Sequence, residues 1–482
     1  MTENKNQEGI NAKKEDDFTE WFTQLMLKAE LADYTKVSGC IVYRPLAYAL
    51  WEKIVQETDK EFKKLKIQNT YFPMFIPESL FQKEGDFVKG FAPEVAWVTH
   101  GGNTKLGERL AVRPTSEAIM YDSYSKWIRS WRDLPLLINQ WNNVVRWEFN
   151  NPVPFFRGRE FLWNELHTCF STEKETLEHG EKVMKAYNKI TEELMAIPGI
   201  YGEKTESEKF AGGVFSKKVH TYLPNGKILE GTCFHHDGQN FAKAYEIKFK
   251  NKEGKEDFVW QNTHAISTRM LGGMLALHSD DKGVVIPPRI APNKIVIVPL
   301  LFKDSKEKIL KEAEKIEKEL EEFSPLLDQR EEVSPGWKYN EWELKGIPIR
   351  IELGPRDLEK KEVQVKVRVE DQKRTIKIKD LKKEIPKLLE EMQNTLYKNA
   401  EKLLTKNQKK TEKKEEMLKY LKEKQLVKVP MCKKPECEDI LKTETQGAKV
   451  LFIDQENEST KNKKCIICNK QADYWVYVGK TY

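Results

Sequence analysis

Over the first 290 residues, short runs of apolar positions with strand character alternate with stretches that repeat at helical spacing. Asn69 to Ile76, Leu136 to Val145 and Phe161 to Phe170 read as strands, and Ser116 to Arg129 reads as a helix. Strands with helices appended, lacking a regular strand-helix alternation, predict an α+β unit. Pro287 and Pro288 then punctuate the chain, and the pattern changes. A strand from Lys294 to Leu300 precedes a helix from Ser305 to Phe323, with Ile309, Leu310, Ala313, Ile316 and Leu320 on one face and Asp304 or Ser305 able to cap it. Strands at Ile347 to Leu353 and Val363 to Val369 and a helix near Lys382 to Leu404 complete an α/β unit. Lys406 to Lys428, dominated by lysine and glutamate, reads as a solvated helix or linker. Beyond Val429 come four cysteines and an aromatic strand from Tyr474 to Val478, the makings of a small α+β unit. The expected organisation is a disordered tail over 1–17 and domains over 18–290, 291–400 and 401–482.

Composition narrows the classes. A chain of 482 residues has room for about three domains, each with its own core. Eighty-two lysines and arginines against 76 acids leave a charge of +6, too mild for wholesale coating of nucleic acid but compatible with a local basic face. Twelve tryptophans, six of them between residues 97 and 163, exclude global disorder. The longest apolar run, Ile295 to Phe302, is eight residues long and contains Pro299, too short for a membrane span. The N-terminal segment is polar and carries acids, unlike a secretory signal or transit peptide. The cysteine usage suits a reducing compartment, and a cytoplasmic protein is expected.

Cys432 and Cys437 are followed, after 27 residues, by Cys465 and Cys468. Two close pairs joined by a loop can converge into a tetrathiolate site for structural zinc. Free surface thiols or a redox Cys-x-x-Cys are the alternatives. Cys40, Cys169 and Cys233 have no metal spacing.

The most informative segment is Val144 to Phe170, VVRWEFNNPVPFFRGREFLWNELHTCF. Two strand-like runs flank a loop with Pro152, Pro154 and Gly158, the layout of a long antiparallel hairpin. Arg146 with Glu148, and Glu165 with His167, are two apart and so share a strand face within each pair. RWEF followed by RxRExLWxExH resembles motif 2 of the class II aminoacyl-tRNA synthetases, specifically the prolyl enzymes of archaeal and eukaryotic type. FPMFIPESLF, with Pro73 and Pro77, resembles their dimer-interface motif 1. RPTSE from Arg113, HxxGQNFAKAYEI from His235 and STRMLGG from Ser267 continue in the family's order, so the resemblance spans nearly the whole chain.

What the resemblance implies is a homodimeric, ATP-dependent ligase with a mainly antiparallel catalytic sheet, an α/β anticodon-binding domain and a C-terminal zinc module. Such an enzyme forms prolyl-adenylate from L-proline and ATP and esterifies the 3′ end of tRNA(Pro), with no membrane or DNA partner. The substrate carboxylate is ionised at neutral pH, so the chemistry needs positioning and charge neutralisation rather than a general base. A planar guanidinium such as Arg146 can bridge the carboxylate and the α-phosphate, and the resemblance makes Arg146 and Arg269 the catalytic arginines. It further implies that Arg157 and Arg269 grip distal phosphates or adenine. Glu148 and Glu230 would hold magnesium, with Gly158, Cys233 and Ser267 completing the ATP site. Proline has a cationic amine and an apolar ring. By resemblance Thr115 and Glu117 accept from the amine, while Arg146, Trp163, Glu165, His167, Phe210 and His235 complete the site.

Departures from the family pattern are visible. Glu230 stands where the family has glutamine, and Cys233 where it has threonine, unless a local shift gives Thr232 that place. His264-Ala265 replaces Trp-Gly. Thr168 to Ile266 is 99 residues long, which the connecting elements should consume, so no inserted editing domain is expected. In the second domain Arg330, Lys338, Trp342, Lys345, Arg350 and Arg356, with Trp337 interleaved, form the anticodon candidate, because unstacked bases are read by stacking plus edge hydrogen bonds. The family's terminal tyrosine corresponds to Tyr482, whose carboxylate would turn back toward the active site. Two rivals stand beside this reading: a synthetase for another amino acid such as threonine or glycine, and a non-catalytic tRNA-binding paralogue. The TSE loop with WxExH favours proline, and the presence of Arg146, Arg157 and Arg269 disfavours the paralogue.

Overall fold

The computed structural model describes residues 9–81, 94–147, 151–456 and 458–482. An eleven-stranded, mainly antiparallel sheet runs through the catalytic unit and continues into the C-terminal unit. Leu136–Val145 and Glu160–Phe170 form the hairpin read from the sequence, in unbroken register from Leu136 opposite Cys169 to Val145 opposite Glu160. Trp260–Ala265, Lys227–Gly238, Phe215–Tyr222 and Ile200–Glu203 follow in antiparallel succession. Residues directly opposite one another share a face. The row His167, Thr263, His235 and Ser216 therefore crosses four strands on one side of the sheet. The connecting elements take up Thr168 to Ile266, with no separate inserted domain.

The opposite face carries the main core. Helices Phe18–Lys28, Pro45–Lys64, Glu173–Asn188 and Thr268–His278 bury Trp21, Leu50, Met184 and Leu275 in it. In Pro45–Lys64 the proline opens the first turn, where no amide bond is lost, and Ala47, Leu50, Trp51, Ile54, Thr58 and Phe62 bury one stripe at spacings of three and four.

Two expectations change here. Asn69 to Ile76 is two strands: Gln68–Asn69 joins the main sheet, whereas Phe75–Pro77 pairs with Thr104–Val112 in a three-stranded sheet. Pro73, which has no amide to donate, lies between them. Of the expected disordered tail over 1–17, residues 1–8 lie outside the described residues, while 9–17 are anchored: Lys14 Nζ donates to the carbonyls of Leu277 and Ser279 at 3.3 and 2.7 Å, and Asp17 caps the first helix.

The α/β unit carries a five-stranded sheet in the order Leu326–Leu327, Ile295–Pro299, Ile349–Leu353, Glu362–Val367 and Arg374–Lys377. Lys306–Glu319 buries Ile309, Ala313 and Ile316, and Leu381–Lys406 covers the same core. Arg368 joins this unit to the catalytic one through Asp280, at 2.6 and 2.8 Å.

Lys406 to Lys428 is not a linker. It holds the strand Gln408–Lys410 and the helix Lys414–Lys422, which buries Met417 and Leu421. The C-terminal strands Leu426–Met431, Tyr474–Thr481 and Lys449–Ile453 extend the catalytic sheet, with Ile453 paired to Glu203 and Lys480 to Lys227. Gly202 has no side chain because Phe452 lies against it; a Cβ there would stand 2.3 Å from the ring.

Two buried histidines report on this packing. His179 lies against Phe170 and His220 against Phe452, and burial pushes their pKa values down to about 4 and about 3. Below pH ~6.5 the unfolded chain binds protons that these folded histidines refuse, so stability falls on acidification. Urea midpoints between pH 7 and 4 are expected to drop, with each histidine adding up to about 1.4 kcal/mol per pH unit, and His220→Gln should flatten the slope.

Candidate active site

A cavity of about 500 Å³ opens on the sheet face bearing His167, Thr263 and His235. One end is a buried acid network. Glu165, fully enclosed on its strand, accepts from Ser116 N, Ser116 Oγ and Asn142 Nδ2, each at 2.7 Å. His167 Nε2 lies 3.5 Å away, and its Nδ1 shares a hydrogen bond with Tyr121 OH at 3.0 Å. Thr115 Oγ1 donates to Glu117 and lies 3.4 Å from Glu165. Burial alone would raise the Glu165 pKa, but the bonds from His167, Asn142 and Ser116 hold it below the ordinary value. Arg113 fixes this loop from beneath by donating to the carbonyls of Asn143 and Phe72 at 2.8 and 2.9 Å. Glu117, Glu165 and His167 bring donor atoms within 4.8 Å of one another, a concentration of acceptors suited to a cation.

Aromatic groups flank that end. Phe210 stands 4.7 Å from His235, and Trp163 and Phe161 lie across the cavity. The other end is cationic. Arg146 sits just past its strand, donates from Nε to Pro114 O at 3.0 Å, and holds its guanidinium 5.5 and 5.2 Å from the rings of Phe161 and Trp163. Arg269 lies in the first turn of helix Thr268–His278, capped by Ser267, and donates to Phe156 O at 3.0 Å. Burial pulls its pKa below the usual value, and the nearby charges of Arg146 and Arg157 act in the same direction. Converging guanidiniums at a helix N-terminus make an anion site.

Thr115, Glu117, Arg146, Trp163, Glu165, His167, Phe210, Glu230, Cys233, His235, Ser267 and Arg269 all line this one cavity. Arg157 and Gly158 do not. Arg157 is exposed on the hairpin loop, and Gly158 lines a smaller pocket where a Cβ would meet the carbonyls of Glu160 and Gly39 at 3.0 and 3.1 Å. Glu148 lies outside the described residues. Glu230 is not presented to a metal: Lys204, Lys218 and Lys449 hold its oxygens at 2.8, 2.9 and 3.3 Å. Burial would raise its pKa, yet these ammoniums keep it well below the carboxylate range, and three cations around one carboxylate repel a divalent ion. Cys233 lines the cavity while Thr232 is wholly buried, so the thiol and not the threonine faces the site. His264 is buried and stacks on Phe234 at 4.8 Å. Lys218 went unrecognised in the sequence; its place follows from its register opposite Cys233. Phe161 also lines the cavity, and nothing local within the hairpin motif distinguishes it from a core aromatic.

The four C-terminal cysteines converge. Cys432 Sγ lies 3.5 Å from Cys437 Sγ and 3.8 Å from Cys468 Sγ, and all four sulfurs fall within 4.8 Å of one another. A tetrahedron of Zn–S bonds of ~2.3 Å has edges of about 3.8 Å, so the donor set fits structural zinc. The backbone amide of Lys470 draws the Cys468 thiol down to about 7, whereas burial raises those of Cys432 and Cys437, whose thiolates a bound cation would have to stabilise.

In the α/β unit the anticodon candidates gather round an acid. Arg330 Nη2 and Trp342 Nε1 donate to Asp328 Oδ2 at 2.7 and 2.9 Å, and Lys338 Nζ donates to Asp328 O at 3.0 Å. Lys338 is 2 % exposed, so its ammonium is a structural prop rather than a base contact. Lys345 bridges Glu341 and Glu30, Arg350 pairs with Glu352 beneath the Tyr339 ring, and Arg356 is exposed. Tyr482 stacks on Phe156 at 4.3 Å and accepts from Asn225 Nδ2 at 2.7 Å.

Comparison with known proteins agrees with this anatomy. A class II tRNA synthetase core model covering the G, H, P, S and T enzymes matches residues 98–278, an anticodon-binding domain model matches 294–388, and a prolyl-tRNA synthetase C-terminal model matches 414–482. A proline-tRNA ligase of Natranaerobius thermophilus is 42% identical over 95% of this chain and 94% of its own. A cytoplasmic proline-tRNA ligase of Arabidopsis thaliana is 42% identical over 98% of this chain and 91% of its own. A crystal structure of prolyl-tRNA synthetase from Cryptosporidium parvum, complexed with halofuginone and AMPPNP, superposes with a TM-score of 0.94 at 41% identity, covering 98% of this chain and all of the other. With identity sustained from end to end through all three units, the chain belongs to the prolyl-tRNA synthetase family of class II aminoacyl-tRNA synthetases.

Proposed function

We propose that the protein activates L-proline with ATP to prolyl-adenylate and pyrophosphate, then transfers the prolyl group to the 3′ end of tRNA(Pro). The observation that carries this is one cavity with an acid network at one end, arginines at the other and aromatic rings between. The prolinium nitrogen is received by Thr115 and Glu117 with Glu165 behind them, and its ring packs between Trp163, Phe210 and His235. Arg146, seated between Pro114 and the two rings, meets the carboxylate and α-phosphate together, and neutralises charge as the phosphorus becomes five-coordinate. Arg269 binds the polyphosphate from the opposite side, with Ser267 and Cys233 beside it. Burial holds the His235 pKa down at about 3, so His235 stays neutral and does not repel the substrate cation.

Magnesium enters with ATP and, when bound, offsets triphosphate charge. Glu148 remains its candidate protein ligand, whereas the lysines around Glu230 argue against that carboxylate. Zinc held by Cys432, Cys437, Cys465 and Cys468 would fix the fold of the C-terminal unit. The anticodon reading narrows to the Arg330, Trp337, Trp342, Lys345 and Arg356 surface, without the buried Lys338 and Arg350. Catalytic, anticodon-binding and zinc units over 18–290, 291–400 and 401–482, a homodimer and a cytoplasmic setting complete the proposal. The dimer is supported by Tyr71, Phe75 and Trp127, which are exposed beside motif 1. The setting is supported by cysteines free of disulfides and by the name of the Arabidopsis relative.

Pyrophosphate-ATP exchange is expected with proline and only weakly with alanine or cysteine; exchange driven by threonine or glycine instead would overturn the substrate assignment. Arg146→Ala is expected to abolish exchange while leaving the circular dichroism spectrum unchanged. Glu165→Gln is expected to raise the proline KM about 10-fold to 100-fold, the worth of charge-assisted bonds in a buried site. Cys465→Ser is expected to bring zinc, measured by atomic absorption, below one per chain.

A further inference from the structure

Part of the amino-acid end of the cavity is built by the turn that follows strand Ile200–Glu203 and returns to the sheet at Phe215. Glu208, Lys209, Phe210 and Ala211 of this turn face the cavity. The Phe210 amide donates to Ser216 Oγ at 2.9 Å, and Ser216 Oγ lies 2.6 Å from His235 Nδ1, so Phe210 and His235 are set as one piece.

The C-terminal unit grips the same turn from outside at two points. Lys449, on strand Lys449–Ile453, donates to Glu208 Oε2 at 2.8 Å. Glu438, on helix Pro435–Glu444 and 9 % exposed, accepts from Thr205 Oγ1 at 2.9 Å. Ile453, on the same C-terminal strand as Lys449, pairs with Glu203, the residue that opens the turn. Lys449 also lies 3.3 Å from Glu230, but Lys204 and Lys218 already meet that carboxylate at 2.8 and 2.9 Å. Glu208 has no comparable reserve, because Lys204 stands 3.9 Å from it. Loss of Lys449 therefore falls on the turn and on Phe210 more than on Glu230.

We infer that Lys449 and Glu438 are positioning residues for the amino-acid pocket: without touching substrate, they fix the turn that carries Phe210 and thereby set affinity for the substrate's ring. This rests on the proposed proline activation. A fold-wide effect would lower kcat and weaken ATP as well, whereas a displaced Phe210 wall weakens the amino acid selectively.

The test is steady-state pyrophosphate exchange by the full-length chain and its Lys449→Met, Lys449→Arg and Thr205→Val variants. Lys449→Met is expected to raise the proline KM about fivefold to tenfold and Thr205→Val about threefold, with kcat and the ATP KM within about twofold of the parent. Lys449→Arg, which keeps a cation in reach of Glu208, is expected to restore the parental proline KM. A parent chain without proline-dependent exchange would overturn the activity reading and this inference with it. An active parent whose variants keep the proline KM, or lose kcat and ATP affinity in step with it, would overturn the inference alone. Should Lys449→Met fail to fold, Thr205→Val decides by the same split.

Discussion

A carboxylate taken out of water has to be met by donors, and the catalytic end of this molecule is organised round that requirement at Glu165. Meeting it recruits Ser116 from the loop before one helix, Asn142 from the neighbouring strand and His167 from its own strand. Each recruit is fixed in turn: Gln140 donates to Ser116 Oγ, and Tyr121 holds the far nitrogen of His167. The loop, the hairpin and the helix Glu117–Trp127 are thus locked by a single charge, and the acceptors facing the cavity inherit that rigidity. A substrate cation finds its partners already oriented, so little binding energy is lost in arranging them.

The opposite end follows a different logic. Arg146 and Arg269 are oriented by backbone carbonyls, of Pro114 and Phe156, rather than by carboxylates. Among the described residues neither guanidinium is held by a carboxylate hydrogen bond, and although the charge of Glu230 reaches Arg269, both stay available to phosphate. Close by, Glu230 is cancelled three times over, which makes that wall cationic as well. A negative pole and a positive pole across one cavity fit a zwitterionic amino acid whose carboxylate meets a polyphosphate, and they orient it before any bond forms.

Much of this was legible in the chain. The hairpin from Leu136 to Phe170 could be read because charged and aromatic residues alternate on both sides of a proline-rich loop, and its register then placed Glu165 and His167 together. The four cysteines could be read because thiols at metal spacing have few other uses. Buried partners were not legible: Lys338 looks in sequence like a surface lysine, and only the fold shows it propping Asp328. Lys218 reaches the cavity by cross-strand pairing with Cys233 beside a bulge, a long-range fact with no local mark. For lysine-rich residues 406–428 a helix was one of two legible readings, but its burial was not, because Met417 and Leu421 are too few to set a periodic pattern.

The continuity of the sheet into the C-terminal unit has a consequence for how the chain can be cut or diversified. Ile200–Glu203 would become an open edge if the sequence stopped after the α/β unit, and Phe452, now laid over Gly202, would leave bare backbone behind it. Unprotected edges of this kind recruit strands from other molecules. The last unit therefore serves as a covering for the catalytic sheet, and a shortened chain should be limited by self-association before it is limited by lost chemistry.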